Sequence, residues 1–555
     1  MQVIRSVLKT KGPPVSFLQL LSEQRCWVVV VILLFTGFIR LRLLDVPLER
    51  DEGEFAYVGQ NILHGIPPYL QAYTMKLPGT HAAYALIMSL LGETVQGIHL
   101  GLLLVNVAII ILVFLLGRRL LDDYAGLVAA ASYALLSVGQ SVLGVFAHSE
   151  HFVTLAALGG MLLLLCAIDS GHRIVYLGSG VLMGLSFLMK QHAVFFLFFS
   201  LLYLMWSMWG MSSIQRTRLR VGMGIFVLGI TIPFGLTCLA MFATGAFEKF
   251  WFWTVTYAGE YVSEIPFSYG MQLLSFEATN AATPAYPLWL LAGVGLVAQG
   301  WDKRIRRYRM FVVGFCLFSF LAICPGFYFR NHYFLLVLPA VALLAGIAVS
   351  SGRLLLSKHI AASASSVVLV LLFMAAFGYT VYREKAFLFE LSPYEVSRLT
   401  YGSNPFPESL EIAKYIKDHT TDHDRIAVLG SEPQIYFYAQ RPSATGYIYT
   451  YGLLEPQPYA LRMQQEMVQE IEQAHPEYLV FVDVPWSWLV RPTSEKMIVD
   501  WARKYIAAEY TEVGFIDISP TGPTRFLWDS EAVNYVPRSS NVAVLVYKRK
   551  SLPRT

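Results

Sequence analysis

Eleven apolar runs, most of them near the ~20 residues that a bilayer crossing requires, follow one another through residues 1–382. That spacing admits few folds other than a helical bundle in a membrane. The runs cover 26–44, 97–117, 125–143, 151–168, 174–190, 192–210, 221–243, 286–300, 309–325, 332–349 and 360–382. Only 14% of the residues are charged, against roughly 25% in soluble domains, which again excludes a soluble enzyme. The net charge of +4 is too small for a nucleic-acid partner, and no basic stripe with interleaved aromatics occurs. All five cysteines lie in or beside apolar runs without metal-type spacing, so neither a disulfide framework nor a zinc site is expected.

Basic residues set the sidedness of the bundle. Arg5, Lys9, Lys11 and Arg25 precede the first run, which lacks a small-residue cleavage site and is read as an uncleaved first helix starting in the cytoplasm. Arg118 and Arg119, His172 and Arg173, the arginines at 216–220, the cluster at 303–309, and Arg353 with Lys358 all fall on the cytoplasmic side. This requires that the short apolar stretch 80–91 lies along the surface rather than crossing. Loops 45–96, 144–150, 244–285 and 326–331 are then outside, as is everything from Arg383 onward.

The chain thus divides into a membrane domain, 1–382, and a soluble tail, 383–555. The tail alternates short β-rich runs (425–429, 478–482, 541–547) with helical patterns at 407–419, 454–474 and 494–508. Such alternation predicts a small α/β domain with a mostly parallel sheet. Leu429-Gly430-Ser431-Glu432-Pro433-Gln434 reads as a strand end turning into a helix; it is not a GxGxxG fingerprint and implies no nucleotide site.

With the sides assigned, Asp51, Glu52, Lys76, Glu150, Lys190, Arg330 and His332 gather at the outer face from separate segments. Charges at a membrane boundary are costly, and their ordinary explanations are helix capping for the acids and snorkelling for the bases. Gathered on one face, they also suit chemistry on a phosphate-linked substrate. Cations hold the phosphate, and a carboxylate accepts a proton from the attacking group.

Three stretches of the first outer loop carry a family resemblance: Arg50-Asp51-Glu52-Gly53-Glu54-Phe55-Ala56-Tyr57, His64-Gly65-Ile66-Pro67-Pro68-Tyr69 and Lys76-Leu77-Pro78-Gly79. With Gly117-Arg118-Arg119-Leu120, Ala147-His148-Ser149-Glu150, Leu188-Met189-Lys190 and Phe329-Arg330-Asn331-His332-Tyr333, they resemble, in order, the GT-C-type glycosyltransferases of families 39 and 83. These are the protein O-mannosyltransferases and the lipid A aminoarabinose transferases. The resemblance covers roughly residues 30–350. It departs where the family often has Lys-Pro-Pro and this chain has Lys76-Leu77-Pro78, and where Glu150 replaces the commoner Asp. The tail does not resemble the mannosyltransferase sugar-binding modules.

The resemblance implies a polyprenyl-phosphate-linked sugar donor, inverting transfer to a hydroxyl of a lipid, glycan or protein acceptor, and a site on the outer face of the bacterial inner membrane. It makes Asp51 the general base, with Glu52 beside it tuning the base or binding a sugar hydroxyl. Lys76, Lys190, Arg330 and His332 become donor-phosphate ligands, and Glu150, Tyr57 and Tyr333 acceptor or sugar contacts. No cofactor is expected, although Asp51, Glu52, Glu150 and the histidines offer ligands for a divalent metal. The aromatic run Phe250-Trp251-Phe252-Trp253 with Tyr257 and Tyr261 suits an interfacial belt or a lipid-tail groove. The rival reading is a transporter or flippase of a lipid-linked saccharide. Transporters place their charges near the midplane on repeated, broken helices, and no repeat is found here.

Overall fold

The computed structural model describes residues 24–519, 522–533, 535–536 and 542–550. The expectation for Arg5, Lys9 and Lys11 lies outside the described residues. The bundle begins with α1 (Gln24–Arg42), α2 (Arg50–Leu63), α3 (Pro78–Leu91) and α4 (Val95–Leu120). Among the described residues six helices are long and apolar enough to cross a bilayer, including α4, Ser149–Ser170, Ser213–Ala243 and Leu338–Leu356. Shorter apolar helices such as Asp123–Leu136 and Arg173–Met189 pack among them. The 80–91 stretch is α3, a separate 14-residue helix begun by Pro78, whose fixed φ suits a first helical turn.

Two local expectations are corrected. The run 125–143 is not one helix: Asp123–Leu136 ends at Ser137 and a tight turn at Gln140–Val142 follows. The region 244–285 is largely helical rather than a loop. Its helix Phe267–Ala282 passes through a one-turn constriction at Thr283–Ala285 into Tyr286–Ala298, because Pro284 and Pro287 withhold backbone donors at the junction.

The C-terminal part forms a five-stranded sheet: β1 (Ile426–Leu429), β2 (Tyr478–Asp483), β3 (Tyr510–Ile518), β4 (Arg525–Trp528) and β5 (Val542–Arg549), in the order β1-β2-β5-β3-β4. Only β1 and β2 are parallel, joined by the helix Ala460–Ala474; the other pairs are antiparallel. The expected mostly parallel sheet is therefore corrected to a mixed one. A single strand–helix–strand crossover enforces a parallel pair, whereas β5 returns between β2 and β3 and runs against both.

The sheet and the bundle share a core. Leu48, Phe55 and Tyr57 of the α2 region pack in one buried cluster with Ile412, Ile435 and Tyr436 of the tail. Approach is close enough that a Cβ at Gly53 would lie 2.6 Å from the backbone nitrogen of Gln434. The Arg42 guanidinium at the end of α1 also donates to the carbonyl of Leu388 at 2.9 Å and to those of Phe387 and Leu391, tying down the start of the tail.

Candidate functional site

A cavity of about 580 Å³ opens where the bundle meets the tail. Its first wall is the start of α2, a turn with an unusual density of acids. Glu49 caps the helix by accepting from the Glu52 backbone N–H at 2.9 Å, and Glu52 reaches back to the Glu49 N–H at 3.3 Å. This reciprocal capping box satisfies two donors that would otherwise be orphaned. It also consumes both flanking carboxylates. Asp51, between them, is left to point into the cavity.

Glu52 is turned the other way. It is fully buried, with His99 Nε2 at 3.1 Å and the Ala147 N–H donating to it, and it does not line the cavity. The two adjacent carboxylates thus have separate surroundings, as successive positions on a helix require.

Lys76, on the loop before α3, bridges Asp51 at 2.9 Å and Glu54 at 2.7 Å. Glu54, not singled out from the sequence, also accepts from Thr74 and lies 3.5 Å from His81. Burial alone would raise the Asp51 carboxyl, but the Lys76 ammonium outweighs it and holds the group well below the usual carboxylate range. Tyr449 of the tail approaches the same Asp51 oxygen, Oδ1, at 3.4 Å.

The second wall carries Lys190, Arg330, His332 and Tyr333. Lys190 pairs with Glu150 and sits 4.2 Å from the centroid of the Tyr333 ring. Glu150 is itself fully buried behind that wall. Arg330 differs from both lysines. Its guanidinium lies over the Tyr328 ring at 5.3 Å and has no ion-pair or hydrogen-bond partner among the described residues. It faces the cavity, in electrostatic range of Glu277 and Glu455 but paired with neither.

His148 and His332 stack at 4.3 Å between the two walls, and the Nε2 of His148 has no hydrogen-bond partner among the described residues. Asp51, His148 and His332 each offer one ligand atom, all within 4.8 Å of one another, so these three are the residues that could hold a divalent ion. Such an ion would share Asp51 with Lys76.

The third wall comes from the tail and from the region before Phe267. It contains Tyr449, Tyr451, Glu455 and Trp486 of the tail, facing Trp253 and Tyr257. A π-helical stretch, Phe252–Tyr257, turns Trp253 and Tyr257 inward. Part of the aromatic run therefore lines the cavity, while Trp251 remains on the surface. Tyr257 donates to Glu455, whose carboxyl is raised by burial to about 7.

Of the residues expected from the sequence, Asp51, Lys76, Lys190, Arg330, His332 and Tyr333 line this cavity, while Glu52, Glu150 and Tyr57 do not. Tyr57 is buried against the tail, where its hydroxyl accepts from the Ser443 N–H at 2.8 Å. Glu54, Tyr449 and Glu455 were missed, and His148 was considered only as a possible metal ligand. Glu54 and His148 stood inside quoted motifs, but nothing in a sequence signals that the tail closes the cavity.

Comparison with known proteins places this architecture. The archaeal oligosaccharyltransferase AglB from Archaeoglobus fulgidus, in complex with an inhibitory peptide and a dolichol-phosphate, superposes with a TM-score of 0.54 at 14% identity, over 95% of this chain and 76% of that one. ArnT from Cupriavidus metallidurans, bound to undecaprenyl phosphate, gives 0.56 at 15% identity, over 94% and 98% of the two chains. The fold is thus the GT-C fold of multi-pass membrane glycosyltransferases, carrying a small C-terminal sheet domain. Residues 76–236 match the family model described as dolichyl-phosphate-mannose-protein mannosyltransferase. No curated protein matches the chain by sequence.

Proposed function

We propose that the protein is a membrane glycosyltransferase that moves a sugar from a polyprenyl-phosphate donor to a hydroxyl of a lipid, glycan or protein acceptor, at the outer face of the bacterial inner membrane. The observation that carries this reading is one cavity holding both a half-buried carboxylate, Asp51, and a guanidinium without an ion-pair partner among the described residues, Arg330. A phosphate-linked donor needs the second, and deprotonation of an acceptor hydroxyl needs the first.

In the reaction, the acceptor oxygen attacks the anomeric carbon as the bond from that carbon to the phosphate oxygen breaks. The acceptor proton passes to Asp51, and polyprenyl phosphate leaves as an anion. That leaving group needs cations around it rather than an acid to protonate it. Arg330 supplies one, with Lys76 and Lys190 at hand. Lys76 presents a tension, because an Asp51 held by its ammonium is a weak base. A donor phosphate competes for the same ammonium, and drawing Lys76 toward it returns basicity to Asp51 when the donor is in place.

The test is to incubate purified protein with a panel of polyprenyl-phosphate sugars and measure release of free polyprenyl phosphate. Release dependent on an acceptor and on Asp51 is expected; binding without release from any donor would leave the transporter reading instead. The membrane side is tested separately. In a cysteine-free background, cysteines at Lys303 and at Asp418 are expected to label from the cytoplasm and from outside respectively, following the positive-inside rule. Labelling of both from one side would overturn the outer-face site.

A further inference from the structure

The fragment at the end of β1, which matched no nucleotide-binding fingerprint, packs directly behind Asp51. Arg50, the neighbour of Asp51, sends its guanidinium out of α2 and into the tail. There Nε donates to the Ser431 carbonyl at 2.6 Å, and Nη2 reaches Glu432 Oε1 at 2.9 Å and Asn404 Oδ1 at 3.0 Å. The guanidinium is also flanked by the rings of Phe406 and Tyr451, each 5.2 Å away. Glu432 is fully buried, and its other oxygen accepts from Ser487.

A second path returns to the same carboxylate. The Ser431 hydroxyl meets Thr450 Oγ1 at 2.9 Å and accepts from the Thr450 N–H at 3.0 Å. Thr450 stands between Tyr451, which flanks Arg50, and Tyr449, whose hydroxyl points at Asp51. The loop is closed: Asp51, Arg50, Glu432 with Ser431, Thr450, Tyr449, Asp51. Space for it is kept by Gly430, where a Cβ would lie 2.5 Å from Glu432 Oε2 and 2.8 Å from Ser487 Oγ.

We propose that the C-terminal domain is a built-in part of the catalytic chamber, and that Glu432 is a positioning residue that sets Asp51 through Arg50. A surface ion pair holds little, but a desolvated guanidinium tied at once to Ser431, Glu432 and Asn404, with Glu432 itself hydrogen-bonded to Ser487, fixes geometry. Arg50 and Asp51 are consecutive in the first turn of α2, so moving one moves the other. The proposal rests on the reading of Asp51 as the base, and its test separates the two.

The test compares Glu432→Gln, Asp51→Asn and the double variant, using whichever donor of the polyprenyl-phosphate panel the wild type turns over. A misplacement near 1 Å lowers turnover ~100-fold, so Glu432→Gln is expected to lower kcat by ten- to a hundredfold. Affinity for undecaprenyl phosphate should change by less than threefold. In the double variant Glu432→Gln should add nothing to the loss from Asp51→Asn, since it acts only through that carboxylate; a merely structural role would depress the residual rate further and overturn the proposal. Normal turnover by Glu432→Gln beside an inactive Asp51→Asn overturns the positioning role alone, and full activity of Asp51→Asn overturns the base and the proposal together.

A readout that needs no substrate covers a variant that folds poorly. In a cysteine-free background, Asp51→Cys should show an alkylation midpoint that Glu432→Gln shifts by about half a pH unit or more, as its distance from Lys76 changes. An unmoved midpoint would overturn the proposal.

Discussion

Two carboxylates face the same cavity from opposite walls, and their surroundings treat them oppositely. Asp51, from the bundle, has an ammonium at 2.9 Å and stays ionised far below neutral pH. Glu455, from the tail, has no cation in hydrogen-bond range. Burial raises it to about 7, helped by the nearby Glu264 and opposed by the Tyr257 hydroxyl and, more weakly, by the charges of Arg491 and Arg330. Burial does not account for the separation, since it pushes both the half-buried Asp51 and the buried Glu455 upward. The separation comes from which charge lies next to each: the Lys76 ammonium is in direct contact with Asp51, and Glu455 has only a phenol hydroxyl at that range.

The largest effect should follow from erasing the charge on the bundle side. Asp51→Asn keeps the shape and removes the proton acceptor. General-base loss lowers rates by ~10²–10⁴, so polyprenyl phosphate release should fall by that factor while affinity for undecaprenyl phosphate holds within a fewfold. Near-normal turnover would remove Asp51 from the role, and the comparison with Glu455 would lose its functional side.

Next is the tail side, where the sign of the pH dependence differs. Glu455 has a folded value of about 7 against 4.5 in an exposed chain, so the folded state binds more protons between those values. Stability therefore falls as pH rises from about 4.5 to about 7. Above that window the buried, ionised group lowers stability by about 3 kcal/mol. Glu455→Gln mimics the protonated form. It should raise the apparent Tm in detergent at pH 8 and leave it unchanged near pH 4. Asp51→Asn should behave in reverse, because its depressed value contributes stability above about pH 4 that the amide cannot supply. A Glu455→Gln variant no more stable at pH 8 than the wild type would show that water or a cation reaches that wall.

The sequence made one wall legible and left the other dark. Apolar runs of bilayer length are local signals, so the helical bundle could be read directly, and the motifs that carry Asp51, Lys76 and Arg330 could be picked out. The acids at 49–54 were legible as a group. Their division of labour was not, because Glu49 and Glu52 look as suitable as Asp51 until the helix start is fixed at Arg50. Glu150 and Tyr57 do not reach the cavity: Glu150 is buried behind Lys190, and Tyr57 turns toward Ser443. The tail wall depends on contacts across several hundred residues, such as Arg50 to Glu432 and Tyr257 to Glu455. No periodicity encodes those contacts. The mixed sheet escaped for a similar reason: alternation of strands and helices reports a crossover between β1 and β2, but not that β5 returns between β2 and β3.

The smallest effect sharpens the comparison among the cations that face these acids. Lys190 already neutralises Glu150, whereas Arg330 has no carboxylate of its own. If an incoming phosphate is what completes Arg330, then Arg330→Ala should weaken binding of undecaprenyl phosphate ten- to a hundredfold. That range corresponds to loss of one charge-assisted contact, about 1.5–3 kcal/mol. Its effect on Tm should be slight, since no buried anion loses its partner. Lys190→Ala should do the opposite. Stranding the buried Glu150 carboxylate should lower Tm clearly, while affinity measured on the protein that remains folded changes less than for Arg330→Ala. Binding titrations of both variants beside their melting curves separate the outcomes. Equal losses of affinity would mean that Lys190 leaves Glu150 for the phosphate as Lys76 leaves Asp51. Affinity untouched by Arg330→Ala would mean that this cation serves something other than the donor.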